Sequence, residues 1–368
     1  MFNKYLTKIY LDAEVLQFHS TGVSKVVENL YNNLFLSNNI EIIAIHRGTL
    51  KGSLDKNIKR KSFSKYIPNA IWRNLVLPIY LNFQEKSIVS FPWNGNIPFL
   101  LKKSHKVVTI MYDVLPLEIP GYFQNLDSRN HYNKEVQYII DKTDILLTIS
   151  EYSQKQLIAN FRISEDPVVL SLGNTLPVTN KKNIHKQENK LDYLYVGGYD
   201  RRKGLIQLLN VFFNLKNKGL LTGRLILTGK INYFSKEFKD IVEKNINFGN
   251  IVEKGYVSDD ELSGLYQSSK GLIYPSKYEG FGLPPLEAMS HGCPVLTTPY
   301  CSIPEVCGQA ALYFNPDNYN EFSKSLLMFE GDIKLQKKMI RLGYIQAKKF
   351  SWDKLVDVLI DNPDEDEI

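Results

Sequence analysis

The chain has 368 residues, 43% hydrophobic, 12% aromatic and 23% charged, with a formal net charge of +6. Those proportions describe a folded globular protein, and 22 Tyr, 19 Phe and 3 Trp supply enough core to exclude whole-chain disorder. The length suits two domains rather than one or three. Residues 51–73 hold Lys51, Lys56, Lys59, Arg60, Lys61, Lys65 and Arg73 against Asp55 alone, a local surplus of six that equals the whole net charge.

Three cysteines, Cys293, Cys301 and Cys307, are too few and too crowded for a secreted disulfide scaffold, so a reducing, cytoplasmic compartment is expected. No signal peptide is read from Met1 onward. The most apolar stretch, 67–83, is interrupted by Arg73, three asparagines and two prolines, and does not suit a membrane span.

Taken in chain order, short apolar runs alternate with helix-length segments. Predicted strands of the first half are Ile9–Leu11, Ile40–Ile45, Ser87–Phe91, Lys106–Met111, Ile145–Ile149 and Val168–Ser171. Those of the second half are Leu191–Val196, Arg224–Leu227, Ile251–Gly255, Gly271–Tyr274, Pro294–Thr297 and Ala311–Phe314. Continuous apolar strands separated by helices predict parallel sheets covered on both faces. The polar segment Asn174–Lys190 reads as the linker between two such halves. In doubly wound sheets ligands bind beyond the carboxyl ends of the strands, so informative residues should follow strands directly.

The strongest such stretch runs from Tyr274 to Met289. A strand ends near Tyr274, a loop carries Glu279, Gly280 and Gly282, and a helix opens around Pro284. Glycines admit close backbone approach, and a helix N-terminus offers unpaired N–H groups to an anion. Glu279 and Glu287 flank that position with E-x7-E spacing. Upstream, Arg202, Lys203 and Gly204 occupy a strand-to-helix turn before the amphipathic segment Leu205–Leu215. Cations are unfavourable at a helix N-terminus unless an anion is bound. A solvated basic turn is the plainer alternative. Gly197, Gly198 and Gly204 do not make G-x-G-x-x-G, which argues against a dehydrogenase.

With these motifs the sequence resembles glycosyltransferase family 4, retaining enzymes of the GT-B fold. The resemblance takes in Tyr195–Leu205, Tyr274–Met289, Ser302–Gly308, Asn315–Asp317 and Phe350–Trp352, and, nearer the start, Ser20–Val23, Asp113–Pro116 and Thr148–Ser153. It implies an α/β chain of two doubly wound Rossmann-like domains facing across a cleft. Residues 1–175 would bind the acceptor and 191–350 the nucleotide sugar; 351–361 would be a C-terminal helix packing back on the first domain, and 362–368 a disordered acidic tail.

The family's roles then fall on particular residues. Glu279 would hold hydroxyls of the donor sugar, and Glu287 the ribose; a solvent-facing helix carboxylate is the alternative for Glu287. Phe281, Gly282 and Leu283 would present amides to the diphosphate, which Arg202 and Lys203 would clamp. Gly22 would approach the transferred phosphate and sugar, or make an ordinary βα turn. Where many relatives have His-Asp, this chain has Tyr112-Asp113, so a histidine base is absent there; Asp113 would orient the acceptor or cap a turn. A phenol with an ordinary pKa near ~10 is a poor base but still a hydrogen-bond donor.

The activity implied is retaining transfer of a sugar from a nucleotide-sugar donor, with a leaning to GDP-mannose, to a glycan acceptor. A lipid-linked acceptor in O-antigen or capsule synthesis fits, as does residence on the inner face of the cytoplasmic membrane. Basic residues of 51–73 beside Ile71, Trp72, Leu75, Val76, Leu77, Ile79, Tyr80 and Leu81 suit an anionic membrane surface; buried core with a solvated loop is the alternative. A non-catalytic GT-B subunit or a nucleotide-sugar epimerase are the rival functions. No cofactor, metal or nucleic-acid partner is expected. Asp364-Glu365-Asp366 matches a D-x-D metal motif but lies in the acidic tail, and His291 with the three cysteines lacks the tight C-x2-C pair of structural zinc.

Overall fold

The computed structural model describes residues 7–17, 22–36, 40–94, 97–170, 172–176, 190–233 and 235–360. It separates into two compact units, Met1–Gly173 with Ser351–Ile368, and Asn174–Phe350. Most of the expected linker, 177–189, and the D-x-D tail fall outside the described residues.

The first unit is built on seven parallel strands: β1 (Thr7–Asp12), β2 (Ile40–Arg47), β3 (Lys59–Phe63), β4 (Ile88–Phe91), β5 (Lys106–Ile110), β6 (Ile145–Thr148) and β7 (Val168–Val169). Their order is β3-β2-β1-β4-β5-β6-β7, with Ile9 of β1 in register with Ile42 on one side and Ile88 on the other. The order reverses between β1 and β4, which makes that edge the natural ligand crevice of the sheet. Ile9, Tyr10 and Leu11 are buried, as a central strand covered on both faces requires. The helix Gly22–Phe35 closes one face, burying Val26, Val27, Leu30, Tyr31 and Leu34 at helical spacing.

Two expectations change here. The basic run is not simply a loop, because Lys59, Arg60 and Lys61 lie in β3, an exposed edge strand paired to β2. Charged side chains on an edge discourage pairing with other chains. The apolar stretch after it divides by face. Asn69–Ile71, a π-helical turn Trp72–Val76 and Leu77–Asn82 form one continuous helical rod. Trp72, Leu77 and Leu81 enter the core, whereas Ile71, Leu75 and Ile79, spaced by four, remain 48%, 51% and 48% exposed.

The second unit has six parallel strands: β8 (Tyr193–Val196), β9 (Leu225–Thr228), β10 (Ile251–Gly255), β11 (Gly271–Tyr274), β12 (Val295–Thr297) and β13 (Ala311–Tyr313). The order is β10-β9-β8-β11-β12-β13, so the switch point lies between β8 and β11. Helix Leu205–Asn217 buries Leu205, Leu208, Leu209, Phe212 and Phe213, and Phe314 stacks on Phe322 with centroids 3.9 Å apart. Ser351–Ile368 groups with the first unit: Trp352, Leu355 and Leu359 are buried, and the helix Lys354–Ile360 packs on Gly22–Phe35. Gly173 is required there, since a Cβ would stand 2.5 Å from Trp352 Nε1.

Candidate active site

The site in the second unit assembles at the carboxyl ends of β8 and β11. After β8, Asp200 accepts a hydrogen bond from the Arg202 N–H at 3.0 Å and starts a single 3-10 turn, Arg201–Lys203. Gly204 follows at φ 68°, and a Cβ there would meet the Pro275 carbonyl oxygen at 2.2 Å. Only glycine therefore lets this turn lie against the end of β11. The Arg202 carbonyl accepts from the Lys277 N–H at 2.9 Å, tying the two loops together.

Across that seam Lys203 Nζ donates to Glu279 Oε1 at 2.5 Å and to the Tyr274 hydroxyl oxygen at 3.2 Å. The Tyr274 hydroxyl itself donates to Glu279 Oε1 at 2.6 Å. Arg202 donates to the Tyr278 carbonyl at 2.6 Å and lies 3.5 Å from Glu279 Oε2. Burial acts to raise the Glu279 carboxyl, but the Lys203 ammonium and Arg202 guanidinium outweigh it and hold the group below its ordinary value. Burial depresses Lys203, with Glu279 pulling the other way. Asp200 Oδ2 lies 3.7 Å from Arg202 Nε, so the two cations face one buried carboxylate, Glu279, and one more exposed one, Asp200.

The E-x7-E loop supplies the other half. Ser302 Oγ lies 2.9 Å from the Glu279 carbonyl and 2.7 Å from the Phe281 carbonyl, pinning the glycine loop from below. Gly282 caps the helix Leu283–Ser290 at φ 116°, a conformation hostile to other residues. Pro284 and Pro285 carry no N–H in the first turn of that helix, so the amides left to receive an anion at its start are those of Phe281, Gly282 and Leu283. The helix begins at Leu283, one residue before the expected Pro284. Glu287 is buried rather than solvent-facing: Tyr266 OH donates to Oε2 at 3.0 Å, and Thr175 Oγ1 donates to Oε1.

Arg202, Lys203, Glu279, Phe281, Gly282, Leu283 and Glu287 thus belong to one unit, and the Arg202, Lys203 and Glu279 side chains meet in one cluster. Gly22 and Asp113 belong to the first unit. Gly22 opens its helix and is exposed; Ser20 and Thr21 beside it lie outside the described residues. Asp113 Oδ1 accepts from the Leu115 N–H at 3.2 Å, the turn-capping geometry. Tyr112 departs from expectation. Its hydroxyl is buried without a hydrogen-bond partner among the described residues, and burial, then Tyr31, pushes it well above the phenol range. Tyr274, Ser302, Tyr266 and Thr175 were not singled out by sequence. Tyr274 and Ser302 sit within the conspicuous motifs, so a strand-end tyrosine and a serine opening the next helix were the available signals. Cys293 and Cys307 are buried free thiols, Cys293 pushed up to about 12 by burial, and His291 Nδ1 contacts the Glu287 carbonyl at 2.7 Å.

Residues 178–346 match the family described as Glycosyl transferases group 1. Along its length the chain is 27% identical to the O-antigen chain mannosyltransferase B of Escherichia coli, covering 94% of this chain and 96% of that protein. It is 26% identical over 260 residues to the O-antigen chain mannosyltransferase RfbU of Salmonella typhimurium, covering 70% and 68%. Among solved structures, WaaG, a glycosyltransferase involved in lipopolysaccharide biosynthesis, superposes with a TM-score of 0.70 at 14% identity, covering 96% of this chain and 99% of that one. Two parallel α/β units of this topology are the GT-B fold, and the protein is a glycosyltransferase. The residues that match that family model all fall within the second unit.

Proposed function

We propose that the chain is a retaining, metal-independent glycosyltransferase that moves a sugar from a nucleotide-sugar donor to a lipid-linked glycan in O-antigen or capsule synthesis. GDP-mannose is the favoured donor, because both relatives described above are named as mannosyltransferases. The observation that carries the reading is the Lys203–Glu279 pair, with Arg202 beside it, next to a glycine-started helix N-terminus.

Breaking the glycosyl–phosphate bond adds negative charge to the leaving diphosphate. Unit charges ~4 Å apart interact by ~4 kcal/mol at an effective dielectric of ~20, so two fixed cations stabilise that charge strongly. Lys203 and Arg202 would meet the diphosphate with the Phe281–Leu283 amides, and Glu287 would hold the ribose. Glu279 would orient both cations and hold sugar hydroxyls. Its Oε1 already accepts two hydrogen bonds and Arg202 faces Oε2, which makes it a poor nucleophile. Tyr112, with its phenol pushed up by burial, would not act as base, so the departing phosphate would take the acceptor hydroxyl's proton on the same face of the sugar.

A lipid-linked acceptor brings the work to the inner face of the cytoplasmic membrane. No helix among the described residues is long and apolar enough to cross a membrane. Surface docking is supported instead by the basic strand β3 beside the exposed line Ile71, Leu75 and Ile79; Lys61 Nζ lies 5.6 Å from the Tyr80 ring of the same rod. The test of the whole reading is incubation of the purified protein with GDP-mannose and a synthetic lipid-linked mannose oligosaccharide. A mannosylated product with the donor's anomeric configuration, read from NMR couplings, is expected. Donor breakdown to free sugar without any acceptor product would favour an epimerase.

A further inference from the structure

Tyr274 is the last residue of β11, and its side chain is buried. Its hydroxyl oxygen, Lys203 Nζ and Glu279 Oε1 form a closed triangle with sides of 2.5, 2.6 and 3.2 Å. A phenol has one proton to give and lone pairs to receive. Tyr274 gives its proton to Glu279 and receives one from Lys203. An ammonium has three donors, of which Lys203 uses two here, so one N–H is left without a partner among the described residues.

The ion pair alone does not fix that N–H. A contact through one oxygen lets the ammonium rotate about the Nζ···Oε1 line, and its remaining N–H groups then sweep a cone. A second acceptor off that line stops the rotation, and the Tyr274 hydroxyl is that acceptor. The ring restrains the ammonium as well, with its centroid 5.5 Å from Nζ. Arg202 does not serve here, because it is engaged by the Tyr278 carbonyl and faces the other carboxylate oxygen, Oε2. Burial, with Glu279 beside it, pushes the Tyr274 phenol well above its ordinary range, so the hydroxyl keeps its proton. Tyr274 therefore directs charge without adding any.

We propose that Tyr274 is a positioning residue of this site: its hydroxyl locks Lys203 Nζ against Glu279 Oε1, so that the uncommitted ammonium N–H meets the diphosphate in a fixed direction. Naming the diphosphate rests on the glycosyl-transfer reading; the lock among the three side chains does not. A preorganised donor is effective because it need not reorient as charge develops. A misplacement of ~1 Å in such a group can cost ~10²-fold in rate. Tyr274→Phe keeps the ring and removes the lock. The charge of the site is unchanged by that substitution, so the loss should fall on turnover rather than on donor capture.

The experiment uses the full chain with glutamate carboxyl carbons labelled for NMR, the Glu279 signal being identified by its loss in Glu279→Gln. The charged and titratable groups around that carboxylate are Lys203, Arg202 and Asp200 from the turn after β8, Tyr195 within β8, and Tyr274. Only Tyr274 differs in the variant. Removing a hydrogen bond to the charged form disfavours that form, so the Glu279 titration midpoint should rise by about one pH unit in Tyr274→Phe. In transfer assays with GDP-mannose, kcat should fall about ten- to thirtyfold, with the donor KM within about twofold. Adding Tyr274→Phe to Lys203→Ala should cost less than about twofold more, since the hydroxyl acts through Lys203. If Tyr274→Phe lacks a cooperative melt, Tyr274→Met, an adaptable apolar chain, is read in its place. The proposal is overturned if the midpoint stays at its wild-type position, if kcat stays within about twofold, or if the two substitutions multiply in full. If the midpoint moves but no nucleotide sugar supports transfer even by the wild type, the lock stands and the glycosyl-transfer reading falls.

Discussion

Lys203 and Glu279, 76 residues apart in the chain, meet at 2.5 Å between Nζ and Oε1, with the Tyr274 hydroxyl bonded to both. The pair crosses the seam between the loop after β8 and the loop after β11, so the switch point of the sheet and the candidate chemistry coincide. Removing one partner of a buried ion pair leaves the other charge uncompensated, at a cost of ~3–5 kcal/mol. Glu279 is held below its ordinary carboxyl value, so the stability it lends is present above the unfolded pKa near ~4.5 and is lost as pH falls through the lower folded value.

Glu287 should report on stability and donor binding together. Its carboxylate accepts from Tyr266 and Thr175 inside the second unit. Glu287→Ala would orphan the buried Tyr266 hydroxyl, costing ~1–3 kcal/mol. We expect a melting temperature several degrees lower and, if the carboxylate holds the ribose, a donor KM raised ~tenfold with kcat little changed. Thermal melting and donor titration check both. An unchanged melting temperature would contradict the buried network.

Metal removal is the second prediction. Cations and amides, rather than a bound divalent ion, are proposed to stabilise the diphosphate. Full transfer activity after exhaustive EDTA treatment is therefore expected. Activity that vanishes and returns on adding Mn²⁺ or Mg²⁺ would reverse the phosphate chemistry proposed.

The third concerns Asp12. Burial, reinforced by Glu14 and opposed by Arg47 and Arg73, pushes its carboxyl from 3.8 up to about 7. The folded chain then keeps a proton that the unfolded chain has released. Stability from this group is complete below the unfolded value and is lost as pH rises through about 7. Asp12→Asn removes that dependence. The difference in melting temperature, variant minus wild type, should grow from pH 5 to pH 8; a flat difference would show that Asp12 is ionised throughout.

Membrane docking is the fourth. Co-sedimentation with anionic vesicles should capture the protein at low salt and release it at high salt, with no capture by neutral vesicles. Charge reversal at Lys59, Arg60 and Lys61, or serine at Ile71, Leu75 and Ile79, should each weaken capture. Each basic residue near such a surface contributes ~1 kcal/mol, so the triple reversal should abolish binding. Equal recovery in the supernatant under every condition would rule this surface out.

Much of the fold is legible in the residues because parallel strands buried on both faces read as unbroken apolar runs. Ile251–Gly255 and Gly271–Tyr274 agree with prediction to the residue, and the other predicted strands differ by one or two residues at an end. β3 escapes for the opposite reason: Lys-Arg-Lys-Ser-Phe on an exposed edge has neither alternation nor an apolar run. The clamp is legible because Arg202, Lys203 and the E-x7-E loop are each local motifs at strand ends. A cavity in the first unit is not, since Asp12, Arg47 and Trp93, which line it, come together only through the order of β2, β1 and β4. Their one shared signal is that each closes or closely follows a predicted strand. The π turn that turns Arg73 and Asn74 toward that cavity leaves no trace in hydrophobic spacing.

Turnover of Lys203→Ala tests the central claim most directly. The purified variant, shown folded by circular dichroism and by a cooperative melt, is compared with wild type for transfer from GDP-mannose to the lipid-linked oligosaccharide. Loss of one preorganised charge-stabilising donor predicts a fall in kcat of ~10²–10³-fold. Turnover within a factor of about three of wild type in the folded variant would contradict the clamp, and with it the mechanism proposed for this site.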